Sequence, residues 1–145
     1  MKPSTIPATL DSLGSIAEYV MAAAASAGLD KRASYRLRLA VDEIATNIIV
    51  HGYANAGRQG VLELRADIDD RALTIAIDDT GVTYDPRQAP IPDISLPLEQ
   101  RPVGGLGVYL AMRSVDEFFY EQLGDRNRTI FKMHLPSSSL EEDKA

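Results

Sequence analysis

Hydrophobic positions recur at three- and four-residue spacing over residues 10–27, where Leu13, Ile16 and Val20 precede a run of alanines. That spacing predicts an amphipathic helix, with Asp11 or Ser12 as its cap and Gly28 closing it. Asp30 then stands where a second N-cap belongs, ahead of a longer helical pattern that reaches about His51. Leu37, Val41, Ile44 and Ile48 form one apolar stripe on this second helix, while Leu39, Ile49 and Val50 lie on other faces, so it is expected to be covered on more than one side. Residues 53–60 are a turn-rich link. Residues 61–68 then alternate as a strand, Asp69, Asp70 and Arg71 make a turn, and residues 72–78 form a second strand, which together predict a hairpin. A short strand at 4–8, weakened by Pro7, opens the chain, and strands near 117–123 and 129–135 close it.

Between the two hairpins the pattern breaks. Residues 82–103 hold Pro86, Pro90, Pro92, Pro97 and Pro102, five of the eight prolines. Proline is excluded from helix interiors and central strands, so this segment is expected to be a long loop. Loops of that length inside a compact domain are usually functional or disordered. A helix with a glycine-rich first turn follows at 104–113, and residues 125–129 read as a polar turn before the last strand. The polar, acidic tail 137–145 is expected to be disordered. The order is helix, helix, hairpin, loop, helix, hairpin, without internal repeats. It implies a single domain over residues 1–136, of α+β class: a two-layer sandwich with helices on one face of a mixed β-sheet.

The 145 residues are long enough to bury a core, and the balance of 45% hydrophobic with 25% charged residues is that of a globular chain. The net charge of −6 disfavours a nucleic-acid partner, which calls for a concentrated basic surface. With no cysteine there are no disulfides, thiolate metal sites or cysteine nucleophile. The start lacks the layout of a signal peptide and no stretch is apolar enough to span a bilayer, so a cytoplasmic protein without membrane contact is expected.

Four sets of residues carry candidate chemistry. Glu43 and Asn47 lie four apart on the second helix and project from one side of it, with His51 a turn further on. Asn supplies a neutral oxygen of the kind Mg²⁺ takes, and Glu a base, though such a pair also occurs as the solvated edge of a helix. Asp79, Thr80 and Gly81 end the first hairpin, where an acidic side chain meets a loop; an ordinary turn has the same composition. The triplet also occurs in aspartic proteases, but that mainly β fold leaves the two N-terminal helices unexplained. Gly104, Gly105 and Gly107 open a helix, where bare backbone amides and the helix dipole favour an anion; a hinge is the alternative. They match neither the dinucleotide fingerprint nor the P-loop. Thr129 lies near the last strand, where its β propensity alone would suffice to explain it.

Taken in order, these sets resemble the boxes of the GHKL ATPase superfamily, the histidine kinase-like or Bergerat fold. The segment running from Glu43 through Asn47 to His51, Gly52 and Tyr53 is similar to its N box, in the version found in bacterial anti-sigma factor serine/threonine kinases. Asp79-Thr80-Gly81 resembles the G1 box, and residues 101–108 resemble the G2 box that follows the ATP lid. The resemblance implies ATP and Mg²⁺ as ligands, with Asn47 on the metal and Glu43 as general base toward an acceptor hydroxyl. It implies Asp79 on the adenine amino group, Gly81 making room for the base, and Thr129 supporting the same pocket. Gly104, Gly105 and Gly107 would hold the phosphates, residues 82–103 would be the lid, and Arg101 would reach the terminal phosphate. Thr83 stands where much of the superfamily has a second glycine, which puts the course of the lid's tip in question.

The same resemblance implies a partner-switching kinase: an anti-anti-sigma antagonist as phosphoryl acceptor on Ser or Thr, a sigma factor or equivalent regulator as the sequestered partner, and a homodimer. The competing expectation is a nucleotide-gated module that sequesters a partner without phosphoryl transfer. Both need Asp79 and the glycines, and only the kinase needs Glu43.

Overall fold

The structure is a computed structural model and describes residues 1–83, 85 and 106–136. Strand β1 (Ser4–Pro7) leads through a 3₁₀ turn (Leu10–Ser12) into helix α1 (Leu13–Ala27). The expected single helix over 10–27 is therefore split, and neither Asp11 nor Ser12 caps it with a side chain. Ser12 already has helical backbone angles and is buried, its hydroxyl 3.3 Å from that of Thr9. The C-terminal cap is as expected: Gly28 adopts φ 77°, a left-handed conformation that costs glycine little.

Helix α2 (Lys31–Asn47) starts at Asp30, whose carboxylate accepts the Ala33 amide at 2.7 Å. It does not run on as a regular helix to His51. From Ile48 to Ala54 the chain widens into a π-helical turn, which buries Ile49, Gly52 and Tyr53 together. Such turns commonly mark functional positions.

Strands β2 (Val61–Ile68) and β3 (Ala72–Asp79) form the first hairpin. Its turn is fixed by Asp69, whose Oδ1 accepts the amides of Arg71 and Ala72 at 2.7 and 2.8 Å. Helix α3 (Leu106–Ser114) precedes the second hairpin, β4 (Glu117–Leu123) and β5 (Arg126–His134). Strand β5 begins at Arg126, three residues earlier than the sequence suggests, because Asn127 extends the alternation of Thr129, Phe131 and Met133 inward. The loop proposed for 82–103 and the tail 137–145 lie, apart from Val82, Thr83 and Asp85, outside the described residues.

The five strands are ordered β1-β2-β3-β5-β4. Every pairing is antiparallel, which corrects the expected mixed sheet: β3 and β5, the inner strands of the two hairpins, also run in opposite directions. The fold class itself stands as read, α+β with helices against one face of a sheet. On that face Leu62, Leu64, Leu73, Ile75, Ile77, Phe131 and Met133 are fully or almost fully buried, against Ile16, Val20, Leu37, Val41 and Ile44 of the helices. Burying a large aliphatic side chain contributes about 1.5–3 kcal/mol, so this layer is the main source of stability. Among the described residues, no helix is long and apolar enough to cross a membrane.

Candidate functional site

The register of β3 and β5 builds one wall of the site. Asp79 pairs with Asn127 and Ile77 with Thr129, so all four side chains face the helices. Asp79 is 4% exposed, and its Oδ1 accepts from the Gly81 amide at 2.9 Å and from Asn127 Nδ2 at 3.0 Å. Burial pushes its pKa above the ordinary carboxylate value, while the Asn127 amide and the Gly81 N–H pull it back and the neighbouring Asp78 charge raises it. A buried carboxylate is suited to accept from an amino group.

Asp78, one residue earlier, points out of the opposite face. Arg128 grips it with two bonds, Nε to Oδ1 at 2.8 Å and its terminal nitrogen to Oδ2 at 2.9 Å, and Arg126 adds a third at 3.0 Å. Burial raises the Asp78 pKa, but these two guanidinium groups outweigh it and hold the carboxyl below its ordinary value. The strand's alternation thus separates two adjacent acids: Asp78 is committed to an ion-pair cluster, and Asp79 faces the helix side.

Asn127 was read from the sequence only as part of a polar turn, and it is the hub of this wall. Besides Asp79, its amide donates to Gly81 O at 3.1 Å, and its oxygen accepts from Tyr120 at 3.1 Å and Thr83 at 3.2 Å. Gln122 in turn donates to Thr83 at 3.0 Å. The position where a glycine was noted as missing therefore carries a side chain that ties the start of the loop to β4 and β5. Counting alternation back from Thr129 would have placed Asn127 inward.

The N-box segment joins this wall through backbone. Gly52 O accepts the Val82 amide at 2.9 Å, and Gly81 packs so closely that an added Cβ would stand 2.7 Å from Gly52 O. Tyr53, 2% exposed, accepts the Thr80 amide at 2.8 Å on its hydroxyl and donates to Val61 O at 3.3 Å. Arg58 donates to Thr80 O at 3.2 Å. The π-turn is what brings Gly52 and Tyr53 inward to make these contacts.

One turn before it on α2, Asn47 donates its amide to the carbonyl of Glu43 at 3.0 Å. That bond uses the nitrogen end and turns the carboxamide oxygen away from the helix backbone. Such an oxygen is a ligand Mg²⁺ accepts, and the donor set is compatible with one protein ligand plus phosphate oxygens and waters. The Glu43 carboxylate lies against Gly107, in the first turn of α3. The second helix thus meets both the hairpin end and the third helix. Glu43, Asn47, Asp79, Gly81, Gly107 and Thr129 are all placed on this side of the sheet or the helices bordering it. Arg101, Gly104 and Gly105 lie outside the described residues. Two open surface clefts of about 530 and 520 Å³ run along β1 and include none of these six.

Comparison with known proteins bears on the family. The histidine kinase-like ATPase domain family matches residues 6–133. An anti-sigma F factor of Clostridium acetobutylicum is 48% identical over 46 residues, 32% of this chain and 31% of that protein. The serine/threonine-protein kinase BtrW of Bordetella bronchiseptica is 27% identical over 103 residues, 71% of this chain and 72% of the relative. The serine-protein kinase RsbW of Bacillus cereus is 32% identical over 85 residues, 56% of this chain and 52% of the relative. The matched stretch spans about a third of the anti-sigma F factor and about half of RsbW. With its ordered boxes, its helix layer on an antiparallel sheet and a family match over nearly its whole length, the chain belongs to the histidine kinase-like ATPase domain family.

Proposed function

We propose that this domain is an ATP-dependent serine/threonine kinase that acts as an anti-sigma factor in a partner switch. ATP binding follows from the family; the transfer, the Mg²⁺ and the partners are our reading. The names of the relatives support it, as does one observation above the rest. Glu43 and Asn47 stand on one side of α2, with the Glu43 carboxylate against Gly107 in the first turn of α3 and the Asn47 amide nitrogen bonded back to the Glu43 carbonyl. A module that only binds nucleotide has no need of the carboxylate.

In this reading Asp79 accepts from the adenine amino group beside Gly81 and Thr129, and the phosphates lie toward Gly107 at the start of α3; the family resemblance assigns Gly104, Gly105 and Arg101 to them as well. Asn47 holds Mg²⁺, which neutralises phosphate charge. The acceptor's serine or threonine oxygen bonds to the γ-phosphorus as the bond to the bridging oxygen of ADP breaks, and the hydroxyl proton passes to Glu43. Phosphoryl transfer has a loose transition state, so positioning and charge stabilisation carry most of the acceleration. The acceptor is an anti-anti-sigma antagonist, the sequestered partner a sigma factor or equivalent regulator, and the kinase a homodimer.

The test is Glu43→Ala incubated with labelled ATP and an antagonist protein. The variant is expected to bind ATP normally and to transfer nothing. Undiminished transfer removes Glu43 as the base. Sequestration of a regulator with no transfer by the wild type favours the nucleotide-gated module instead.

A further inference from the structure

The glycine at 107 faces a side chain, and that contact has a consequence for the base. A Cβ built on Gly107 would stand 3.0 Å from Glu43 Cδ, 3.5 Å from its Oε1, and closer still to Oε2. Among the described residues, the three atoms nearest to that position all belong to the Glu43 carboxylate. Gly107 lies in the second position of α3, where glycine is otherwise a poor choice: alanine is the better helix former, and no positive φ demands glycine there. A phosphate lying against this backbone would also favour glycine, and the Glu43 contact is a separate reason, present without any nucleotide.

We propose that Gly107 is a positioning residue for Glu43: its lack of a side chain lets the carboxylate rest over the first turn of α3, facing the phosphate end of the nucleotide. This deepens the kinase reading and rests on it for its functional half. Among the described residues, the atoms nearest to a Cβ at this place are the free end of a flexible side chain, so Gly107→Ala folds normally and Glu43 gives way. The carboxylate swings off the position from which it takes the acceptor's proton. A displacement of about 1 Å in a reacting group lowers rates by about 100-fold.

Two measurements test it. In the nucleotide-free protein at a single pH, removing the carboxylate by Glu43→Ala should move the Gly107 amide resonance more than those of Tyr109 to Ser114 in the same helix. A Gly107 amide unmoved by Glu43→Ala overturns the placement, whatever the protein catalyses. In the transfer assay, Gly107→Ala should keep its melting temperature while kcat falls about 10- to 100-fold, by a larger factor than any rise in KM for ATP. Shortening the acid relieves the crowding, so Gly107→Ala should cost little further activity in a Glu43→Asp background. A loss in KM with kcat unchanged, or an equal kcat loss in both backgrounds, overturns the positioning role. Absence of transfer by the wild type overturns the kinase reading and leaves the resonance experiment to decide the contact.

Discussion

Replacing Asn127 by alanine is expected to loosen the wall that holds Asp79. The side chain is 2% exposed and takes part in four hydrogen bonds, at 3.0 Å to Asp79, 3.1 Å to Gly81 O, 3.1 Å to Tyr120 and 3.2 Å to Thr83. A single hydrogen bond contributes about 1 kcal/mol net, and leaving a buried partner unsatisfied costs about 1–3 kcal/mol. Thr83 is exposed and recovers water, and Tyr120 is only partly buried, so the loss falls mainly on Asp79 and the Gly81 carbonyl. The expected destabilisation is therefore about 2–4 kcal/mol, which at a urea dependence of about 2 kcal/mol/M moves the unfolding midpoint by about 1–2 M. The same variant removes one of the two groups that lower the Asp79 pKa, so the acid stays protonated to higher pH. A protonated Asp79 is a poorer acceptor for an amino group, and nucleotide affinity by calorimetry should fall most steeply on the acid side. A midpoint within 0.3 M of wild type by the same urea titration, together with an unchanged affinity profile, would refute the role given to Asn127.

Two further outcomes follow from the same geometry. Gly81→Ala places a Cβ 2.7 Å from Gly52 O and 2.9 Å from its carbonyl carbon, backbone against backbone, so about 1–3 kcal/mol of stability should be lost in thermal unfolding, with weaker ATP binding. The folded pKa of Asp78 is depressed, so its contribution to stability is present above the ordinary carboxylate pKa and is lost as pH falls through the lower folded value. Replacing Arg126 and Arg128 together by methionine should remove that acid-side loss from the stability profile measured by urea titration at each pH.

Local signals carried much of the fold. The Gly28 cap, the Asp30 cap and the Asp69 turn each depend on a residue's own backbone preference or on a side chain bonding three residues away or less, and each is found as read. Non-local pairing was less legible. Nothing in the sequence distance between β3 and β5 fixes their direction, and the sheet proved antiparallel throughout. Nor does helical periodicity announce the π-turn at Ile48–Ala54, since one widened turn only shifts which later residues face inward. In the site, Glu43, Asn47, Asp79 and Gly81 could be named because they stand in ordered boxes. Asn127 could not, since all its side-chain partners here but Tyr120 lie 44–48 residues away in the loop and β3, and only the register of β5 puts it opposite Asp79.

That register explains how two neighbouring acids come to serve different ends. Alternation along β3 sends Asp78 to the open face and Asp79 to the helix side, and the matching alternation on β5 supplies Arg126 and Arg128 to the first and Asn127 to the second. A one-residue slip would exchange the partners, setting Asp79 among guanidinium groups and Asp78 beside the amide. The arginine clamp therefore acts on the site without touching it. By holding Asp78 in one place on the outer face, it resists the slip that would turn Asp79 away from the pocket, and the Gly52–Gly81 contact then ties that aligned strand end to the helix bearing Glu43 and Asn47.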